Sequence, residues 1–154
     1  MSENKKLLKK PSKKVLAAIL VTAAAAVCII FVPTLLGNKS VDFEILDKKD
    51  IPQAVETEVV PEYRDLERAL GCLIDGKVYV LVTRGEKPTG GYEVTIEKME
   101  TEKTKEGTNL QVHALFKDPS DGESVAQLTT YPYAVAVTGL AALPDTIELL
   151  VKYQ

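Results

Sequence analysis

Histidine and cysteine are scarce in this chain: one His and two Cys stand among 154 residues. A structural zinc site takes four Cys or His ligands, so this composition argues against one. Cys28 lies inside a long apolar run and Cys72 far beyond it. The two do not pair, and the folded part does without an internal disulfide. Cys72, between Gly71 and Leu73, reads as a small buried residue. Catalytic signatures are missing as well. There is no G-x-S-x-G elbow, no P-loop and no H-E-x-x-H pair. The lone His113 falls on the polar face of a strand-like segment, where a solvated imidazole is the ordinary outcome. Carboxylates are many, among them Glu93, Glu97, Glu100, Asp118 and Glu123, but they sit on outward strand positions and loops. Glycoside hydrolysis would need two of them facing each other across a cleft. No enzyme, metal ion or cofactor is expected. Repeats of fixed period are absent, and no low-complexity linker extends beyond about residues 37–40.

What the chain does have is one long uncharged run. Residues 15–36 contain no charged side chain over 22 positions. A helix crossing a bilayer needs roughly 20 apolar residues, and in lipid its backbone must pair internally. The run is therefore expected to be a single transmembrane helix through which the protein meets the lipid bilayer. Residues 1–14 form a basic stub with six Lys and one Glu, a charge of +5. The whole chain carries −3, so the part after residue 36 carries −8. The lysines favour a cytoplasmic N-terminus and an extracytoplasmic remainder, as in a single-pass signal-anchor membrane protein. A cleaved signal peptide is the rival reading, with Ala23–Ala26 imitating a cleavage site. Cleavage there would leave an apolar N-terminus beginning at Val27. Lipidation at Cys28 is disfavoured by the bulk of Val27 before it. The acidic outer part repels phosphate backbones, so nucleic acid is not an expected partner.

Residues 37–71 are expected to hold a juxtamembrane strand and a kinked helix, and 72–154 a β domain. Val41, Phe43 and Ile45 alternate with polar neighbours. Asp50, Pro52 and Gln53 then resemble a helix start. Val55, Val59, Leu66 and Leu70 fall on one helical stripe, interrupted by Pro61 and terminated at Gly71. After Gly71 the period drops to 2. Asp75-Gly76 marks a hairpin, and Val78, Val80 and Val82 share a face. Tyr92, Val94 and Ile96 share the next face. Residues 100–109 read as a turn, and Leu110, Val112, Ala114 and Phe116 point inward. Residues 118–122 form a loop. Tyr133–Val137 and Ile147–Tyr153 supply further strands. The expected fold is a single transmembrane helix plus a small mainly-β domain: an antiparallel sheet, as a sandwich or open barrel, with one kinked helix.

Two segments stand apart from plain turns and strands. In the first, Gly85, Lys87, Pro88, Thr89, Gly90, Gly91 and Tyr92 join two well-patterned strands. Its paired glycines allow positive φ or a close approach by another backbone. In the second, Tyr131, Pro132 and Tyr133 place two aromatics on one face. Loops on rigid strands and aromatic anchors both suit protein recognition. These residues are the candidate protein-binding site.

The same segments carry a family resemblance. Tyr79-Val80-Leu81-Val82-Thr83, then Gly85 through Tyr92, then Thr130-Tyr131-Pro132-Tyr133 resemble the C-terminal domain of PrcB, a protease-complex subunit, over roughly residues 72–153. The resemblance implies a non-catalytic bacterial cell-surface module that stabilises or scaffolds a secreted or membrane protease. The loop Pro88-Thr89-Gly90-Gly91-Tyr92 is also similar to the Asn-Pro-Thr-Thr-Gly-Tyr loop of chagasin-type cysteine protease inhibitors. Here Lys87 replaces the asparagine and a glycine replaces one threonine. That second similarity implies the alternative of an inhibitor-like module.

Overall fold

Strands of alternating polarity have one apolar face to bury, and in this chain two sheets bury theirs against each other. A computed structural model describes residues 37–154. One sheet has the order β1-β5-β6-β8, formed by Lys39–Ser40, Glu93–Thr104, Gly107–Lys117 and Thr146–Tyr153. The other has the order β2-β7-β4-β3, formed by Phe43–Ile45, Tyr133–Thr138, Lys77–Arg84 and Glu67–Ile74. The core between them joins Val80, Val82 and Ala136 of the second sheet to Ile96, Met99, Leu110, Val112 and Phe116 of the first. The inward faces expected for Val78, Val80 and Val82 and for Leu110, Val112, Ala114 and Phe116 are all buried. Asp75-Gly76 makes the tight turn of the β3–β4 hairpin, with both residues at positive φ.

A second, smaller core lies on the other face of the β7–β4 pair. Ile51, Val55 and Val60 pack there against Leu81 and Val135. This layer explains why β4 reads as a nearly unbroken apolar run: its middle is buried on both faces. The elements supplying the layer differ from the expected kinked helix. A π-helical turn, Val55–Val59, runs into a single α turn, α1, Val60–Tyr63. Pro61 is the cause. It has no N–H to give, and the Val60 N–H reaches back five residues to Val55 O, widening the turn just before the proline. Helix stops at Tyr63, so Leu66 and Leu70 are not on it. Leu66 is exposed, and Leu70 reaches the same apolar cluster as Val55 and Val59 from β3.

Gly71, expected to end the helix, sits instead inside β3. A Cβ there would lie 2.9 Å from Ile147 Cδ1 and 3.2 Å from Leu143 Cδ2, so this glycine lets β8 and the loop before it close onto β3. Among the described residues no helix is long and apolar enough to cross a membrane. The helical segments, a 3-10 turn at Lys48–Asp50 and the run from Val55 to Tyr63, are short, and the span expected at residues 15–36 lies outside the described residues.

Three further differences concern sheet pairing. The fold is not wholly antiparallel: β8 runs parallel to β6, with Leu110 opposite Ile147 and Phe116 opposite Tyr153. The expected turn at 100–109 is mostly strand, because β5 continues to Thr104 and β6 starts at Gly107. A bulge after Ile96 shifts the alternation, so Lys98 faces out and Met99 fills the core. The first strands also divide between sheets. β1 pairs with β5 and β2 with β7, the chain crossing over at Val41-Asp42. Residues 38–154 form one compact unit.

Candidate functional site

The site begins at the end of β4. Arg84 completes the strand with its side chain only 3% exposed. Its guanidinium donates to Lys117 O at 2.6 Å and Glu93 O at 3.3 Å, and it pairs with the carboxylate of Asp118. Its cation also lies 5.0 Å from the ring centres of both Tyr92 and Phe116. A buried charge is tolerable only when so partnered. One side chain therefore ties β4, the start of β5, the end of β6 and the anchoring Tyr92 together.

From Arg84 the chain enters the loop through Gly85, which is buried at φ +75°, where a Cβ would come within 3.3 Å of Asp65 O. Lys87 and Thr130 then exchange a reciprocal pair of backbone hydrogen bonds, both 2.9 Å. Thr130 Oγ1 donates to Thr89 O at 2.7 Å, and Gly90 N donates to Ala126 O at 2.8 Å. Gly91 has φ +86°, and a Cβ on it would meet Val125 Cγ1 at 2.7 Å and Pro119 Cβ at 2.8 Å. It needs to be glycine on both counts; Gly90, with ordinary φ and ordinary contacts, does not. Pro88 is exposed at the tip.

The structure thus brings the two sequence-predicted segments together. Thr130 to Pro132 lies against the loop from Arg84 to Thr89, forming one braced wall. Tyr131 Oη donates to Glu86 Oε2 at 3.1 Å, which holds the phenol above its ordinary pKa. Arg64, just past α1, stacks 4.3 Å from the Tyr131 ring centre. Tyr133 is half-buried against the helical layer, and burial, with Glu56 nearby, raises its pKa. Lys87 Nζ lies 5.9 Å from the Tyr92 ring centre.

Between this wall and the helical layer runs an open groove of about 440 Å³, lined by Lys48, Val60 and Arg64 on one side and by Gly90–Tyr92 and Thr129–Tyr133 on the other. A second hollow of about 380 Å³ continues it along Glu93–Thr95 of β5. Lys48, Arg64 and Arg84 carry much of this geometry, yet none formed part of the sequence-predicted site. Arg84 left one trace, a charge closing an apolar strand directly before a glycine. Lys48 and Arg64 left none, because they reach the groove only through packing of the helical layer. His113 lies elsewhere, 3.5 Å from Glu100 on the outer face of the first sheet; it is on the opposite side of β6 from the core as expected, but half-buried, with its Nε2 shielded from water and not solvated. Among the described residues no cluster of His, Cys, Asp or Glu could hold a metal ion.

Fold and site together define a small β-sandwich with an aromatic, cation-rimmed groove walled by a braced loop. Over residues 78–138, from β4 through β7, the chain matches the PrcB C-terminal family model, so the resemblance read from the sequence is borne out across that span. No curated protein and no solved structure matches the chain.

Proposed function

We propose that this domain is a non-catalytic protein-binding module that stabilises or scaffolds a protease complex at a bacterial cell surface, with the groove beside Tyr131 and Tyr133 as its contact surface. The observation that carries the reading is the joining of residues 85–92 and 130–133 into one wall: both segments distinguish the family resemblance, and both lie within the matched span. Tyrosine is among the side chains enriched at the anchoring positions of protein interfaces. The partner is a secreted or membrane protease, and the domain is extracytoplasmic, in keeping with the lysine-rich start of the chain. The inhibitor alternative requires a projecting loop tip. Here the backbone groups of Thr89 and Gly90 are engaged by Thr130 and Ala126, which favours a wall over a plug.

Tyr131→Ala tests the reading, since that ring is held by Arg64 and Glu86 at the surface and not by the core. Affinity recovery of the full chain from its native cells should lose its protease partner while the unfolding midpoint moves by only a few degrees. Unchanged recovery of the partner would remove the groove from the interface. Added to the recovered protease, the wild-type chain should lengthen its active lifetime; lowered turnover would favour the inhibitor alternative.

A further inference from the structure

The strand register shows how the groove can hold its partner. β2 pairs with β7 only from Ala136 to Thr138, with a last bond from Leu46 N to Val135 O. β7 and the residues ahead of it continue beyond that point, paired on the opposite side with β4 and the loop. The direction of their peptide groups follows from two bonds. Arg84 N donates to Pro132 O, so Pro132 points toward β4; Val135 O accepts from Leu46, so Val135 points toward β2. Alternation then turns the N–H and C=O of Tyr133, and of Tyr131, toward the place β2 has vacated. Among the described residues neither pair of groups has a hydrogen-bond partner there, and both residues line the groove. Pro132, which has no N–H, falls at the position that faces the other way.

The opposite edge shows the same gap. β1 covers β5 only at Glu100 and Thr101, with one more bond from Val41 N to Met99 O, and leaves Glu93–Thr95 open beside the second hollow. The two short first strands close only part of this side of the sandwich, and a slot beside an unpaired edge is left.

The geometry points to strand addition: an extended segment of the partner protein pairs with Tyr131 and Tyr133 in line with β2, and an acidic side chain on it meets Lys48 and Arg64. This rests on the protein-binding reading above and names its mode. Charge selects the occupant. The part of the chain after residue 36 carries −8, yet the 440 Å³ groove is lined by Lys48 and Arg64 and by no carboxylate, with acidic groups at its margins: Glu86 on Tyr131 Oη, Glu56 near Tyr133, and Glu93 in the second hollow. Among the described residues Lys48 has no ion-pair partner, and Arg64 has only Asp65, at 3.9 Å. An extended peptide supplies the missing main-chain partners, and an Asp or Glu on it supplies the missing charge.

The test pans a phage-displayed library of random dodecapeptides against the full chain and then measures amide hydrogen exchange with a selected synthetic peptide bound. Selected peptides should be enriched in Asp or Glu within a β-prone stretch. They should slow exchange at the Tyr133 amide, and they should bind the Lys48→Glu/Arg64→Glu double variant at least about tenfold more weakly. N-methylation of the pairing residue of the peptide should abolish binding. No enrichment, unprotected Tyr133, or equal binding to the charge-reversed variant would overturn the proposal. So would sedimentation showing a dimer that protects Tyr133 by itself, since the edge would then serve a second copy. If Tyr131→Ala loses the native partner while that partner leaves Tyr133 unprotected, the groove still binds protein and strand addition alone fails.

Discussion

Removing the Arg84 guanidinium should unfasten the site from the sandwich. In Arg84→Ala the carbonyls of Glu93 and Lys117 lose their donor, at 3.3 and 2.6 Å in the wild type. Each polar group left unpaired in a site with little water costs about 1–3 kcal/mol. Loss of the cation from Tyr92 and Phe116 adds about 0.5–1 kcal/mol for each ring. Asp118 contributes little to the cost, because its side chain is 62% exposed and regains water, so its share is below about 1 kcal/mol. Water entering the vacated space relieves part of the carbonyl term. The expected total is about 3 kcal/mol, a fall in midpoint of roughly 10 °C for a domain of this size. Arg84→Lys keeps the charge but not the fork, and should recover only part of the loss. Urea unfolding followed by tyrosine fluorescence suits a chain with no tryptophan. Asp118→Asn should cost under about 1 kcal/mol. Should Asp118→Asn prove the costlier of the two, or Arg84→Ala cost less than about 1 kcal/mol, the guanidinium would not be the tie that joins these strands.

Three other outcomes follow from particular contacts. Gly91→Ala should destabilise by more than about 1–2 kcal/mol, because its φ of +86° is strained for alanine and the new Cβ meets Val125 and Pro119; Gly90→Ala should be close to neutral, and thermal melts of the pair should separate them. Glu100 is held below its ordinary pKa, chiefly by the hydrogen bond from Lys98, so its contribution to stability is present above the ordinary carboxylate pKa and is lost as pH falls through the lowered value. Glu100→Gln should flatten that acid limb in denaturant melts run from neutral to low pH, and an unchanged limb would refute the pairing. If the domain is extracytoplasmic, protease added to intact cells should remove a tag at the C-terminus and spare one at the N-terminus, whereas a spared C-terminal tag would place the groove on the wrong side for a surface protease.

Local chemistry was enough for some of the strands, though not for the first half of β3 or the ends of β5 and β6 that meet between residues 100 and 109. Leu110, Val112, Ala114 and Phe116 alternate because one face of β6 is buried and the other is wet, and a period of two in the sequence states that directly. Asp75-Gly76 marks a turn by its own backbone preferences, whatever surrounds it. Gly91 and the tyrosine pair were legible for the same reason, since positive φ and alternation are properties of a few adjacent residues, while Gly90 beside it has ordinary φ. The rest depended on residues far apart in the chain. Gly71 looked like a helix terminator because a glycine signals only that a side chain is unwelcome, and only the packing of Ile147 and Leu143 shows why it is unwelcome there. Pro61 announced a break, but whether it would kink a long helix or end a short one turned on β3 claiming Leu70. The parallel placement of β8, the burial of Arg84 and the open edge beside Tyr133 are matters of which strands meet and how far each extends. A hydrogen-bond register joins residues separated by tens of positions, and no local pattern records that two short first strands leave part of one side of a sandwich uncovered.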